Sequence, residues 1–199
     1  MRALRAIVAV GAVTLSSPAF ALGLTPGPVG IYFAFLHFLS EMPIPLTLIA
    51  LGLLLGLNGH QAFRWAWPSL MLAMLVGLVG ILVFRIFIYP ESPLLLLTIV
   101  AGLWAASGIV VPAYAAAIIS LCVGYFLGVF IAPAPASWST QAYAIVGGLL
   151  AVNFVVICVF LIVELIRTWW DMPWIRIVLR VVASWLTAIV ALVAALSLR

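Results

Sequence analysis

The chain contains no lysine, and its charge is sparse: eight arginines and four acids in 199 residues. Without lysine there is no glycine-rich loop ending in the lysine that grips nucleotide phosphates, so ATP-driven work by this chain alone is not expected. His37 and His60 are its two imidazoles. Neither has an evident serine or cysteine partner to activate, and four acids spread over four regions build no catalytic pair. No enzyme activity is expected. The two cysteines, Cys122 and Cys158, sit inside apolar runs and read as small core residues rather than a disulfide. The net charge of +4 does not suggest nucleic acid, because the arginines are scattered among apolar segments instead of gathered into a patch.

What the chain does have is apolar length. It is 68% hydrophobic and 6% charged, with a mean hydropathy of +1.44. A soluble domain of this size cannot hide so much apolar surface, whereas a bundle of membrane helices can. The expectation is an all-α polytopic membrane bundle: a signal peptide over residues 1–21, then one domain of six transmembrane helices over 22–199. The signal reading rests on basic Arg2 and Arg5, an apolar core from Ala6 to Leu15, and an A-x-A site at Ala19–Ala21. An uncleaved signal anchor is the alternative. Cleavage would leave the mature N-terminus outside the cytoplasm, in the periplasm of a bacterial inner membrane.

The expected spans are about 31–57, 67–88, 94–106, 109–131, 142–166 and 175–198. Pro68 would open the second, and Gly77 and Gly80 would admit a close neighbour. Ser107 and Gly108 would join the third and fourth in a tight hairpin. Gly124 and Gly128 form a G-x-x-x-G pair on one face of the fourth. Asn153 reads first as an interhelical hydrogen bonder. Arg85 lies near the end of the second span, within reach of Glu91. Glu164, Arg167, Asp171, Arg176 and Arg180 cluster around Trp169, Trp170 and Trp174, as a charged anchor at a membrane surface would. With an external start, Arg64, Arg167, Arg176 and Arg180 fall on the cytoplasmic side, in keeping with the positive-inside rule.

The stretch from Ile31 to Asn58 stands apart. It is almost wholly apolar, yet His37, Ser40 and Glu41 fall within about one helical turn, followed by Pro43 and Pro45. A polar cluster beside a broken backbone is the pattern of a transport or binding site at membrane depth. His37 and Glu41 are four residues apart and would share a helix face, and imidazole with carboxylate suits divalent first-row metals. Both are therefore candidate metal ligands. A hydrogen-bonded polar pair at the outer end of the first span is the other reading.

Several segments resemble the HupE/UreJ family of small bacterial membrane proteins. They are H-F-L-S at His37–Ser40, A-L-G-L-L at Ala50–Leu54, W-P-S-L-M-L-A-M-L-V-G-L-V-G at Trp67–Gly80, P-E-S-P at Pro90–Pro93, A-G-L-W-A-A at Ala101–Ala106 and Q-A-Y-A-I-V-G-G-L-L at Gln141–Leu150. The resemblance implies a nickel or cobalt permease that serves hydrogenase or urease maturation, without ATP. It departs at the metal motifs. Against the family's H-P-x-x-G-x-D-H, only His37 is kept; Pro43 and Ile44 stand where the aspartate and second histidine belong. Against F-H-G-x-A-H-G-x-E, Gly124 and Gly128 match, but Val123, Leu127 and Phe130 replace the histidines and the acid. The function expected is thus a secondary transporter of a divalent metal such as Ni(II) or Co(II), carried as substrate, with no tightly bound cofactor. The alternative is a non-transporting membrane accessory or scaffold subunit that keeps the bundle and has lost the metal site. The bilayer is the expected surrounding, with a homo-oligomer or a membrane partner as further possibilities.

Overall fold

Two prolines set the architecture. Pro43 and Pro45 have no backbone N–H to give, so a helix arriving from residue 31 loses two hydrogen bonds within three residues at this level. The computed structural model describes residues 28–84, 91–131, 138–169 and 173–197. In it the first apolar stretch is two helices, α1 (Pro28–Ser40) and α2 (Pro43–Asn58), bent by 81° at the break. Both prolines fall in the first turn of α2, where amides lack an intrahelical acceptor in any case. The Ile44 N–H donates to the Glu41 carbonyl at 3.0 Å and tightens the start. One proline-broken span was expected over 31–57, and the break falls where the prolines placed it, as a pair that is either a broken span or a re-entrant loop.

Five more helices follow: α3 (His60–Phe84), α4 (Glu91–Ser107), α5 (Ala113–Ile131), α6 (Trp138–Trp169) and α7 (Pro173–Ser197). No strand occurs among the described residues. The protein is an all-α membrane-type bundle. By length and composition α3, α5, α6 and α7 can each cross a bilayer, and α1 with α2 makes a fifth candidate. The 17-residue α4 reaches only about 26 Å, short of the ~30 Å hydrocarbon layer. Four or five candidate spans therefore stand where six were expected. The expected signal peptide, Arg85, and Asp171 lie outside the described residues.

Gly59 lies between α2 and α3 at φ 82°, ψ −174°, a conformation that side chains disfavour. It lets α3 begin at once, at His60 rather than near Trp67. Pro68 consequently sits inside α3, not at its start.

The hub is α2. Every residue from Leu51 to Gly56 is buried, and α2 touches all six other helices. A helix that is apolar all round can be a core helix or a lipid-facing span, and its neighbours make α2 the former. Ile44, Leu48, Leu51, Leu54 and Leu55 pack with Leu70, Met74, Leu94, Val123, Leu127, Val152 and Val156. Around α2 the other helices pair by glycine. Gly124 and Gly128 of α5 face the backbone carbonyls of Leu70 and Met74, and Gly77 of α3 faces that of Tyr125. Gly52 and Gly56 of α2 receive Val159 and Val163 of α6, while Gly102 of α4 receives Thr187 of α7. The expected α4–α5 hairpin is thus a minor contact: α5 runs chiefly along α3, and α4 along α7 and α2. Gly80 faces open space, unlike Gly77.

Polar side chains inside the bundle are tied. Thr47 and Thr98 meet at 2.6 Å between α2 and α4. Asn153 accepts from Trp67 Nε1 at 3.1 Å, donates to the Leu149 carbonyl at 2.8 Å and approaches the Met71 sulfur at 3.2 Å, the interhelical role read from sequence. The perimeter is apolar: Leu72, Leu75, Val76 and Val79 on α3, and Val181, Val182, Trp185 and Ile189 on α7, are exposed. So much outward-facing apolar surface fits a lipid surrounding. Cys122 and Cys158 are free thiols.

Candidate functional site

The two ends of α2 carry different chemistry. At its start, the last turn of α1 holds His37, and Glu41 follows one residue after α1 ends. The break leaves the helix spacing intact up to this point, so the two side chains meet. His37 Nε2 lies 3.9 Å from Glu41 Oε1, and both side chains are about half exposed, at 53% and 48%. That distance suits an ion pair with a protonated imidazole, or a cation shared between them. The Ser40 hydroxyl donates to the His37 carbonyl at 2.7 Å, which leaves its oxygen as an acceptor only. Among the described residues no three of His, Cys, Asp and Glu gather in one place. Further donors to a metal here would be water, Ser40 or backbone carbonyls. Next along α2 stand Ile44, Leu48 and Leu51, each fully buried.

The other end of α2 lies about 24 Å away along the helix axis. There α2 and α4 finish and α3 and α5 begin, and the ends of their backbones need partners. Arginines supply them. Arg167 Nη1 donates to the Gly56 carbonyl at 2.6 Å, a cation at a helix C-terminus, where the helix dipole favours it. Arg167 also lies 3.5 Å from Glu164 Oε2, the i, i+3 pair visible in the sequence. Arg180 of α7 reaches the Gly108 carbonyl, just beyond α4, at 3.4 Å. Gly108 sits at φ 71°, and its missing side chain leaves room for that guanidinium. Asn58 ties the end of α2 to the segment before α5: its Oδ1 accepts from the Val111 N–H at 2.6 Å and its Nδ2 donates to the Leu54 carbonyl at 2.7 Å.

These contacts enclose a cavity of about 220 Å³ whose wall includes Arg167, Arg176, Arg180, Asn58, Gly108 and Trp104. The volume is about seven times the ~30 Å³ that one water molecule occupies in the liquid. Arg180 Nε is buried and has no acceptor among the described residues. An unmet buried donor costs about 1–3 kcal/mol, more for a charged group. His60 is exposed at the start of α3, at this same end, far from His37.

Sequence reasoning found the arginine cluster but read it as an anchor at the membrane surface. It missed the cavity, because Asn58, Trp104, Gly108 and Arg180 are brought together from three helices across more than 100 positions. The positive φ of Gly108 was the one local signal, and Ser-Gly there was read as a simple turn.

No protein-family model matches the chain, and neither a curated protein nor a solved structure matches it. The likeness to HupE/UreJ proteins rests on the quoted segments alone.

Proposed function

We propose that the protein is a HupE/UreJ-like membrane protein that takes up a divalent metal ion such as nickel or cobalt, with His37 and Glu41 as its first ligands. In this reading α1–α2 and α4 count as spans, giving six in a bacterial inner membrane. The break between α1 and α2 then faces the periplasm. The arginine-bearing end of the bundle faces the cytoplasm, as the positive-inside rule requires. The observation that carries the reading is the imidazole and carboxylate 3.9 Å apart beside a bent helix pair. Two side-chain donors make a weak, exchangeable site, which suits an ion that must leave again.

A second reading, an accessory subunit that does not transport, is favoured by the solid aliphatic packing of Ile44, Leu48, Leu51 and Leu54 next to the pair. One experiment separates them. Cells expressing the protein are assayed for nickel and cobalt uptake, beside the His37→Ala and Glu41→Ala variants, and the purified protein is assayed for bound metal. Uptake above background that both variants abolish supports transport. Uptake unchanged in both variants removes the site, and no uptake from a well-folded protein leaves the accessory reading.

A further inference from the structure

We infer that Arg167 is a two-position latch on the cavity end of the bundle: it closes that end by holding the Gly56 carbonyl of α2 and opens it by swinging onto Glu164 of its own helix. The inference stands apart from the metal reading, because it concerns access to the cavity and not what the bundle carries.

The closed position is the one in the structure. Arg167 Nη1 of α6 donates to the Gly56 carbonyl at 2.6 Å. That bond ties two helices together at their ends, where Val163 of α6 already rests on Gly56. It also sets the guanidinium in the wall of the cavity of about 220 Å³.

The second position is prepared beside it. Glu164 Oε2 lies 3.5 Å from the same nitrogen, Nη1. That oxygen is buried, and among the described residues no donor reaches it. A charge-assisted N–H···O⁻ bond closes at about 2.7–2.9 Å, so Nη1 need come in by less than about 1 Å. A bidentate grip on both carboxylate oxygens would then draw the guanidinium off Gly56 altogether. Glu164 is outside the cavity wall, so the movement takes Arg167 out of it.

A switch requires two arrangements of similar free energy. The closed one leaves a carboxylate oxygen buried without a donor, which is costly. The open one takes the cation from the Gly56 carbonyl, but water in the cavity can replace it there. Plain capping of α2 explains the bond to Gly56. It does not explain the acceptor left open next to it, which a fixed guanidinium would meet with one of its remaining N–H groups.

The test measures access to the cavity in the purified full-length protein. Ala105 lines the cavity and is buried at 3%. Ala105→Cys, combined with Cys122→Ala and Cys158→Ala, leaves a single thiol in this parent. Its rate of labelling by a water-soluble maleimide in detergent micelles reports how often the end opens. Glu164→Gln removes the charge that holds the open position, so labelling should slow roughly fivefold or more. Arg167→Gln takes the latch out of the wall. It should speed labelling, and adding Glu164→Gln to it should change nothing further. A fixed cap predicts the opposite sign for Glu164→Gln, because Glu164 then only steadies Arg167 and its loss loosens the end. Labelling that is unchanged or faster in Glu164→Gln overturns the inference. So does a Glu164→Gln effect that persists without Arg167, or labelling that merely follows the thermal unfolding temperature across the variants. Should Arg167→Gln fail to fold, the sign of the Glu164→Gln effect decides. Slowed labelling in a protein that takes up no metal would remove the metal reading and leave the latch standing.

Discussion

Gly128 and Gly80 offer a paired test of what holds the bundle together. Each is a helical glycine in a G-x-x-x-G or G-x-x-G setting, and sequence alone treats them as equals. In the structure a Cβ on Gly128 would run into the Met74 backbone carbonyl of α3, whereas a Cβ on Gly80 meets nothing within 4 Å. Alanine gains roughly 0.5–1 kcal/mol over glycine inside a helix, and both substitutions receive that gain. Gly128→Ala also incurs an overpacking cost of about 1–3 kcal/mol. The upper part of that range applies, because a backbone carbonyl in a packed helix cannot swing aside as a side-chain end can. Gly128→Ala should therefore destabilise by about 2 kcal/mol and Gly80→Ala stabilise by up to about 1 kcal/mol, a difference of roughly 3 kcal/mol. Denaturant unfolding of the purified protein in a fixed detergent, followed by far-UV circular dichroism, measures both. Two changes of the same sign and similar size would refute the claim that backbone proximity, rather than glycine content, seals α3 to α5.

Three further outcomes follow from particular contacts. Asn58→Leu should cost about 1–2 kcal/mol, since it orphans the Val111 amide, and it should speed hydrogen exchange at residues 108–111; Asn58→Asp, which keeps the acceptor, should protect that amide better. Thr47→Val and Thr98→Val should each cost little. Either hydroxyl can fall back on its own i−4 carbonyl, Pro43 at 2.6 Å or Leu94 at 2.7 Å, so a double-mutant cycle should give a coupling of roughly 0.5–1 kcal/mol. A coupling near zero would mean that their 2.6 Å contact contributes nothing. Trp67→Phe removes a donor to Asn153 while keeping an aromatic ring, and should destabilise by less than about 1 kcal/mol in the same unfolding assay.

By itself the sequence determined the class and the break. Sparse charge and long apolar runs leave a membrane bundle as the place where such a chain can bury itself, and two prolines two positions apart must interrupt a helix wherever it packs. The burial of α2 on all sides was not legible, because its neighbours are as apolar all round as it is. The i, i+4 pair of His37 and Glu41 and the i, i+3 pair of Glu164 and Arg167 were legible, because helical spacing is a local property. Tertiary structure decided the rest. It decided that α5 lies along α3 rather than along its chain neighbour α4, that Gly77 is in a seam and Gly80 is not, and that α3 starts before Pro68. It also assembled the cavity from Asn58, Gly108, Arg167 and Arg180. The physical reason is the same in each case: in a bilayer nearly every helix is apolar all round, so hydrophobic patterning does not say which face meets which neighbour. That choice falls to steric fit between backbones and to unmet carbonyls at helix ends, and both are properties of helices already side by side.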